Sequence, residues 1–366
     1  MLTTKDRILF ESYPDFTDNT RMVFDEMMRQ KINEKYKFVW IMQDESSKQC
    51  PEGYNVSCIS MHDSNAYREN AIHAKVIISC NTIIPSYFKN QPSFYLTHGI
   101  PFKSVKNHLY LRDGTQLTHF LASSSMTSQL FAEEFRLPKS TKILPFGFPR
   151  NDIFYTNRKG TLAELLKVEG KKYIAWYPTF RNHKDGNRNE GGNTMPIIFD
   201  QQSAFQVNQY AREHDVVLVY KPHPVQDVNY ISKLNLSNIK IINDNFLFSH
   251  NLNNYVFLNS CDALISDYSS VFLDFLLTNK PIGLVWEDFD LYRKDIGLVE
   301  NWEFLSSGCE KIFSKEDLLQ FINNIADEHD NYIQQRNAVK KYAHSNNGGL
   351  ATKQIVEYII NEVGLC

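Results

Sequence analysis

Five short segments carry side chains that can move a proton or hold an anion. Thr97-His98-Gly99-Ile100-Pro101 follows an apolar run. Imidazole titrates near neutrality, and Gly99 lets a ligand come close to the backbone, so His98 is placed for general-base work. The plainer alternative is a loop histidine beside a turn. Lys221-Pro222-His223-Pro224 closes a second apolar run, and its prolines fix φ on either side of His223. Two cations there suit phosphate oxygens, although a rigid turn alone would explain the pattern. Ser266-Asp267-Tyr268-Ser269-Ser270 leads into Val271-Phe272-Leu273-Asp274, where the serines either cap a helix or also bind an anion. Pro178-Thr179-Phe180-Arg181 adds a guanidinium that can grip phosphate or simply be solvated. In Gly147-Phe148-Pro149-Arg150-Asn151-Asp152 the Asn and Asp equally well just start a helix.

The elements that would carry these segments alternate between strands and helices. Apolar runs at Arg7–Glu11, Lys37–Ile41, Lys75–Ser79, Ser93–Thr97 and Thr118–Ser123 read as strands, and helical spacing runs from Arg21 to Glu34. A second series comprises Lys172–Tyr177, Val216–Tyr220, Ile239–Ile242 and Ala263–Ser266. Residues 151–171 form the junction, and the polar, Gly/Asn-rich stretch 182–193 reads as a loop. Such alternation predicts an α/β chain with parallel sheets, whose ligands collect outside the carboxyl ends of the strands.

The 366 residues suggest two domains, and 42% hydrophobic content is enough for two cores. With 39 Lys+Arg against 42 Asp+Glu, the net charge of -3 argues against a nucleic-acid partner. Six cysteines without a CxxC pair read as reduced thiols in a cytoplasmic protein. No secretory leader and no membrane-spanning stretch is expected. The 11 His show neither HxxxH nor HExxH spacing, and no Walker loop, GxGxxG or GxSxG occurs. No metal and no cofactor is expected.

In order, these segments resemble the CDP-glycerol glycerophosphotransferase family, the teichoic-acid primases and polymerases and their relatives in capsule and surface-polymer synthesis. The matching pieces are Phe10-Glu11-Ser12 with Asp18-Asn19-Thr20-Arg21, Pro85–Phe88, His98–Lys103, Gly147–Asp152, Pro178–Arg181, Lys221–Pro224, Asp262 to Asp274, Asn279–Ile282 and Asp290–Arg293. The resemblance implies a GT-B fold, two Rossmann-like domains with parallel sheets facing a central cleft. Residues 1–155 would form an acceptor-binding domain to which a C-terminal helix within 346–366 returns. Residues 156–345 would bind the nucleotide donor.

The resemblance further implies transfer of a polyol phosphate, glycerol phosphate first, from a CDP-activated donor to a hydroxyl of a lipid-linked or polysaccharide acceptor, with release of CMP. His98 and His223 would be catalytic. Thr179, Arg181, Lys221, His223, Asp267, Ser269 and Ser270 would hold the donor, and Gly99, Arg150, Asn151 and Asp152 would support the site. Two alternatives stay open: a GT-B glycosyltransferase using a nucleotide sugar, and an inactive nucleotide- or polymer-binding module. Lipid-linked acceptors would bring the chain to the inner face of the bacterial membrane as a peripheral protein. For that contact, Phe102–Arg112 reads as an interfacial helix, with Phe102, Val105 and Leu109 on one face and Lys103 and Lys106 among its cations.

Overall fold

The computed structural model describes residues 5–43, 50–106, 116–156, 162–170, 172–179, 195–222, 233–250 and 252–365. The chain divides into two compact units. The first comprises Met1–Pro101, Val105–Thr156 and Tyr342–Cys366, and the second comprises Phe102–Ser104 and Asn157–Lys341.

In the first unit, β1 (Arg7–Glu11), β2 (Lys37–Met42), β3 (Val56–Ser60), β4 (Ala74–Ser79), β5 (Ser93–Tyr95), β6 (His119–Leu121) and β7 (Lys142–Leu144) form one sheet. Their order is β3-β2-β1-β4-β5-β6-β7, and every pairing is parallel. Strands covered on both faces need apolar side chains at successive positions, and Ile8-Leu9-Phe10 and Phe38-Val39-Trp40 supply them with no exposure at all. The helix Asp18–Arg29 buries Val23, Phe24 and Met27. Its Phe24 meets Phe10 edge-on at 5.3 Å and Trp40 at 5.4 Å. Helical spacing in the sequence ran on to Glu34, but the helix stops at Arg29. Lys31 turns to φ 60 and a separate 3₁₀ turn, Ile32–Glu34, follows.

In the second unit, β8 (Lys172–Trp176), β9 (Val216–Tyr220), β10 (Ile239–Ile241), β11 (Ala263–Ser266), β12 (Ile282–Val285) and β13 (Glu310–Ile312) stand in the order β10-β9-β8-β11-β12-β13. All of these pairings are parallel too. The helix Lys315–Ala326 starts in a capping box of Ser314 and Asp317 and packs Leu318, Phe321, Ile322 and Ile325 into the sheet core. Gly283 on β12 lies beneath this helix: a Cβ there would stand 3.3 Å from Phe321 Cε2 and 2.6 Å from Ile312 Cδ1.

Each unit is therefore doubly wound, with the strand order reversing between β1 and β4 and between β8 and β11. Crevices open at the carboxyl ends beside such reversals. Among the described residues, no helix is long and apolar enough to cross a membrane.

Two sequence expectations are corrected. Cys50 and Cys58 are joined in a disulfide rather than left as thiols. Cys58 lies on the edge strand β3, and the chain from Cys50 returns to that edge with a Cα–Cα separation of 5.9 Å. Cys80, Cys261 and Cys309 are buried thiols. The interfacial helix is not formed over residues 102–106, which contain no helical residue. Phe102 is buried, its ring set edge-on against Phe272 at 4.9 Å, and Lys103 pairs its backbone with Leu298. Lys106 faces the buried Glu134 at 3.5 Å, and the same carboxylate accepts from Val105 N at 2.8 Å. Phe102 and the half-buried Lys103 pack against protein, whereas the Lys106 side chain stays 41% exposed beside Glu134. Residues 107–112 lie outside the described residues.

Candidate functional site

In the first unit the reversal between β1 and β4 is organised by Glu11, the last residue of β1. Its carboxylate is fully buried and accepts from Thr82 N at 3.0 Å, Asn81 N at 3.2 Å and Gln43 Nε2 at 2.6 Å. Desolvation raises its pKa, against the opposing pull of those donors. The chain beyond β4 places the Cys80 carbonyl 3.3 Å from His98 Nδ1. A carbonyl only accepts, so Nδ1 is the donor in this contact. The His98 side chain is exposed. An imidazole with its hydrogen on Nδ1 is the tautomer whose Nε2 takes up a proton in general-base catalysis.

The loop that carries His98 is clamped from two sides. Asn19, fully buried, donates from Nδ2 to the carbonyls of Leu96 at 3.1 Å and Thr97 at 2.8 Å. Its Oδ1 accepts from Arg150 N at 3.1 Å. Thr97 sits at φ 47, a costly conformation for a β-branched residue that persists only when its surroundings hold it. Gly99 follows at φ 149. Arg150 closes the clamp by pairing with Asp18 at 2.7 Å. Asn151 is buried nearby in the same 3₁₀ turn, Pro149–Tyr155. Asp152 faces elsewhere: its carboxylate accepts from Ala351 N at 3.0 Å and Thr352 N at 2.9 Å, which caps the C-terminal helix Ala351–Val363.

In the second unit the reversal between β8 and β11 brings Thr179 and Asp267 together. Thr179 donates from N to Asp267 Oδ2 at 2.9 Å and from Oγ1 at 3.1 Å, and Ser269 N donates to Oδ1 at 3.2 Å. Asp267 is fully buried and ties two loops together at the sheet end. Ser269 and Ser270 are half-buried just before the short helix Val271–Phe275, and Ser270 makes no side-chain cap bond to it. Its hydroxyl is left for other use. Lys221, at the end of β9, pairs with Asp244 at 3.0 Å and lies over the Tyr177 ring at 5.5 Å. His223 and Arg181 lie outside the described residues.

Three residues gain a definite role only in the folded structure. Asn19 stands in one of the segments that carry the family resemblance, but its role depends on partners 77, 78 and 131 residues away. Asp244, the counter-charge of Lys221, sits in an unremarkable Asn/Asp stretch. Asp288-Phe289-Asp290 is an Asp-x-Asp pattern, but Asp288 is buried and accepts from Tyr268 OH at 3.0 Å. Among the described residues no group of three His, Cys, Asp or Glu is placed to hold a metal ion.

Two doubly wound units, each built on a parallel sheet, are the GT-B fold, which structures of TagF and of the glycosyltransferase WaaG share. The profile of the CDP-Glycerol:Poly(glycerophosphate) glycerophosphotransferase family matches residues 1–361, and the chain belongs to that enzyme family. It is 29% identical to the teichoic acid glycerol-phosphate primase of Bacillus subtilis strain 168, over 56% of this chain and 48% of the primase. It is 24% identical to the teichoic acid poly(glycerol phosphate) polymerase of Bacillus spizizenii, over 92% of this chain and 86% of the polymerase. The match thus spans about half the primase and most of the polymerase. A variant of the wall teichoic acid polymerase TagF superposes with a TM-score of 0.76 at 20% identity, covering 99% of this chain and 90% of that one.

Proposed function

We propose that the chain transfers a polyol phosphate, glycerol phosphate first, from a CDP-activated donor to a hydroxyl of a teichoic, capsular or glycolipid acceptor. His98 Nε2 takes the acceptor's proton as the acceptor oxygen bonds to the β-phosphorus of the donor. The bond from that phosphorus to the bridging oxygen breaks, and CMP leaves with the bridging oxygen. Charge spreads over the phosphoryl oxygens in such a step, so positioning and electrostatics carry most of the catalysis. Ser269, Ser270 and Lys221, with Arg181 and His223 from the sequence motif, serve the donor. Thr179 and Asp267 shape the loops that present them. No metal enters the scheme. The reaction takes place in the cytoplasm, at the inner face of the bacterial membrane when the acceptor is lipid-linked.

The observation that carries this reading is the exposed His98 imidazole, its Nδ1 set against the Cys80 carbonyl and its loop clamped by Asn19. Family membership supports the donor class, and TagF has been soaked with CDPG. The test is His98→Ala assayed for transfer and, by calorimetry, for donor binding. Transfer should fall by roughly 10²–10⁴-fold while donor affinity holds. Retention of more than about a tenth of the rate would remove His98 as the base.

A further inference from the structure

Lys103 belongs to the three residues, Phe102–Ser104, that fold with the second unit. They form a short extended pairing there. Lys103 bridges antiparallel to Leu298, Val299 N donates to Phe102 O at 3.1 Å, and Ser104 N donates to Gly297 O at 3.2 Å. The Phe102 ring rests on Phe272 at 4.9 Å, and Phe272 is in the first turn after Ser269 and Ser270. The lysine is therefore fixed at the end of the sheet where Thr179, Asp267 and the two serines meet.

Its charge is not accounted for within the unit. The half-buried Lys103 makes no hydrogen bond and no ion pair with any described residue. Asp267 is close enough to favour its charged form, but burial outweighs that and lowers its pKa. The Asp267 carboxylate is already occupied by Thr179 and Ser269. Lys221 differs in having its own counter-ion, Asp244. A desolvated ammonium without a partner is costly, and an arriving anion relieves that cost.

We propose that Lys103 binds the transferred phosphate of the donor, pairing with the non-bridging oxygens of the phosphorus that the acceptor attacks. This rests on the donor class given under Proposed function. The ammonium adds no atom to the products. It holds the phosphoryl group as charge grows on it, and CMP leaves as before.

CDP carries a phosphate at the transferred position and CMP does not, so the two nucleotides are the probes. Titration calorimetry on the full chain should show CDP binding more tightly than CMP. Lys103→Met keeps most of the stem and should lose about 10- to 100-fold in CDP affinity with CMP affinity unchanged, the range for a charged hydrogen bond. Lys103→Arg should keep part of the preference. In the unmutated chain, the preference for CDP should fade through the alkaline range as the lysine loses its proton. Equal losses for CDP and CMP in Lys103→Met would reveal a merely structural lysine and overturn the assignment. So would a preference unmoved by both substitutions and by alkali. Failure of the unmutated chain to bind either nucleotide would remove the donor class and this assignment with it.

Discussion

At the scale of single residues, the loop that carries His98 is held by the buried side chain of Asn19. Asn19 supplies both hydrogen bonds to the carbonyls just before His98. Asn19→Ala leaves buried carbonyls short of a donor, at about 1–3 kcal/mol. It should lower kcat with donor affinity intact, because it loosens the base and not the phosphate loops. A loss of donor affinity with kcat unchanged would contradict that division. His119 gives a pH-dependent test of the fold. It is 3% exposed, stacks on Phe94 with ring centroids 4.1 Å apart, and burial lowers its pKa to about 4. Between that value and its ordinary 6.5, the unfolded chain binds the proton and the folded chain does not. Stability should therefore fall as pH drops through this window, by at most about 3 kcal/mol from this group. Denaturant unfolding at pH 7 and near pH 4.5 should show a smaller loss in His119→Phe than in the unmutated chain. Equal losses would mean that His119 is not the group that titrates.

Among the secondary-structure elements, the C-terminal helix offers the clearest test. Asp152 accepts from two of its first amides. Asp152→Ala should cost about 1–2 kcal/mol of stability, measured by denaturant unfolding, while Asp152→Asn should cost less. The elements also show what the sequence could reveal. β1, β2, β9 and β11 were legible because strands covered on both faces need unbroken apolar runs, and those runs are present. β3, β7, β12 and β13 were missed. β3 is the half-buried edge strand Val-Ser-Cys-Ile-Ser, β7 and β13 have three residues each, and β12 contains Gly283. Their identity as strands depends on neighbours far away in the chain. The site divides in the same way. His98, Lys221 and the serines announced themselves by residue type beside apolar runs. Asn19 and Asp244 did not, since their importance exists only once the loops have met. Lys103 was read with the wrong surroundings because a periodic apolar pattern does not tell a lipid face from a protein one.

For the molecule as a whole, the claim is phosphoryl transfer carried by side chains. Activity should persist in excess EDTA, and loss on chelation with rescue by magnesium or manganese would defeat the metal-free scheme. The most direct test of the central claim is the identity of the nucleotide released when the purified chain is given CDP-glycerol or CDP-ribitol, nucleotide sugars and candidate acceptors. Attack at the β-phosphorus must release CMP, one for each polyol phosphate joined to the acceptor. The account predicts that stoichiometry with a CDP-alcohol and no turnover of nucleotide sugars. Release of a nucleoside diphosphate from a nucleotide sugar, with CDP-alcohols left intact, would contradict it.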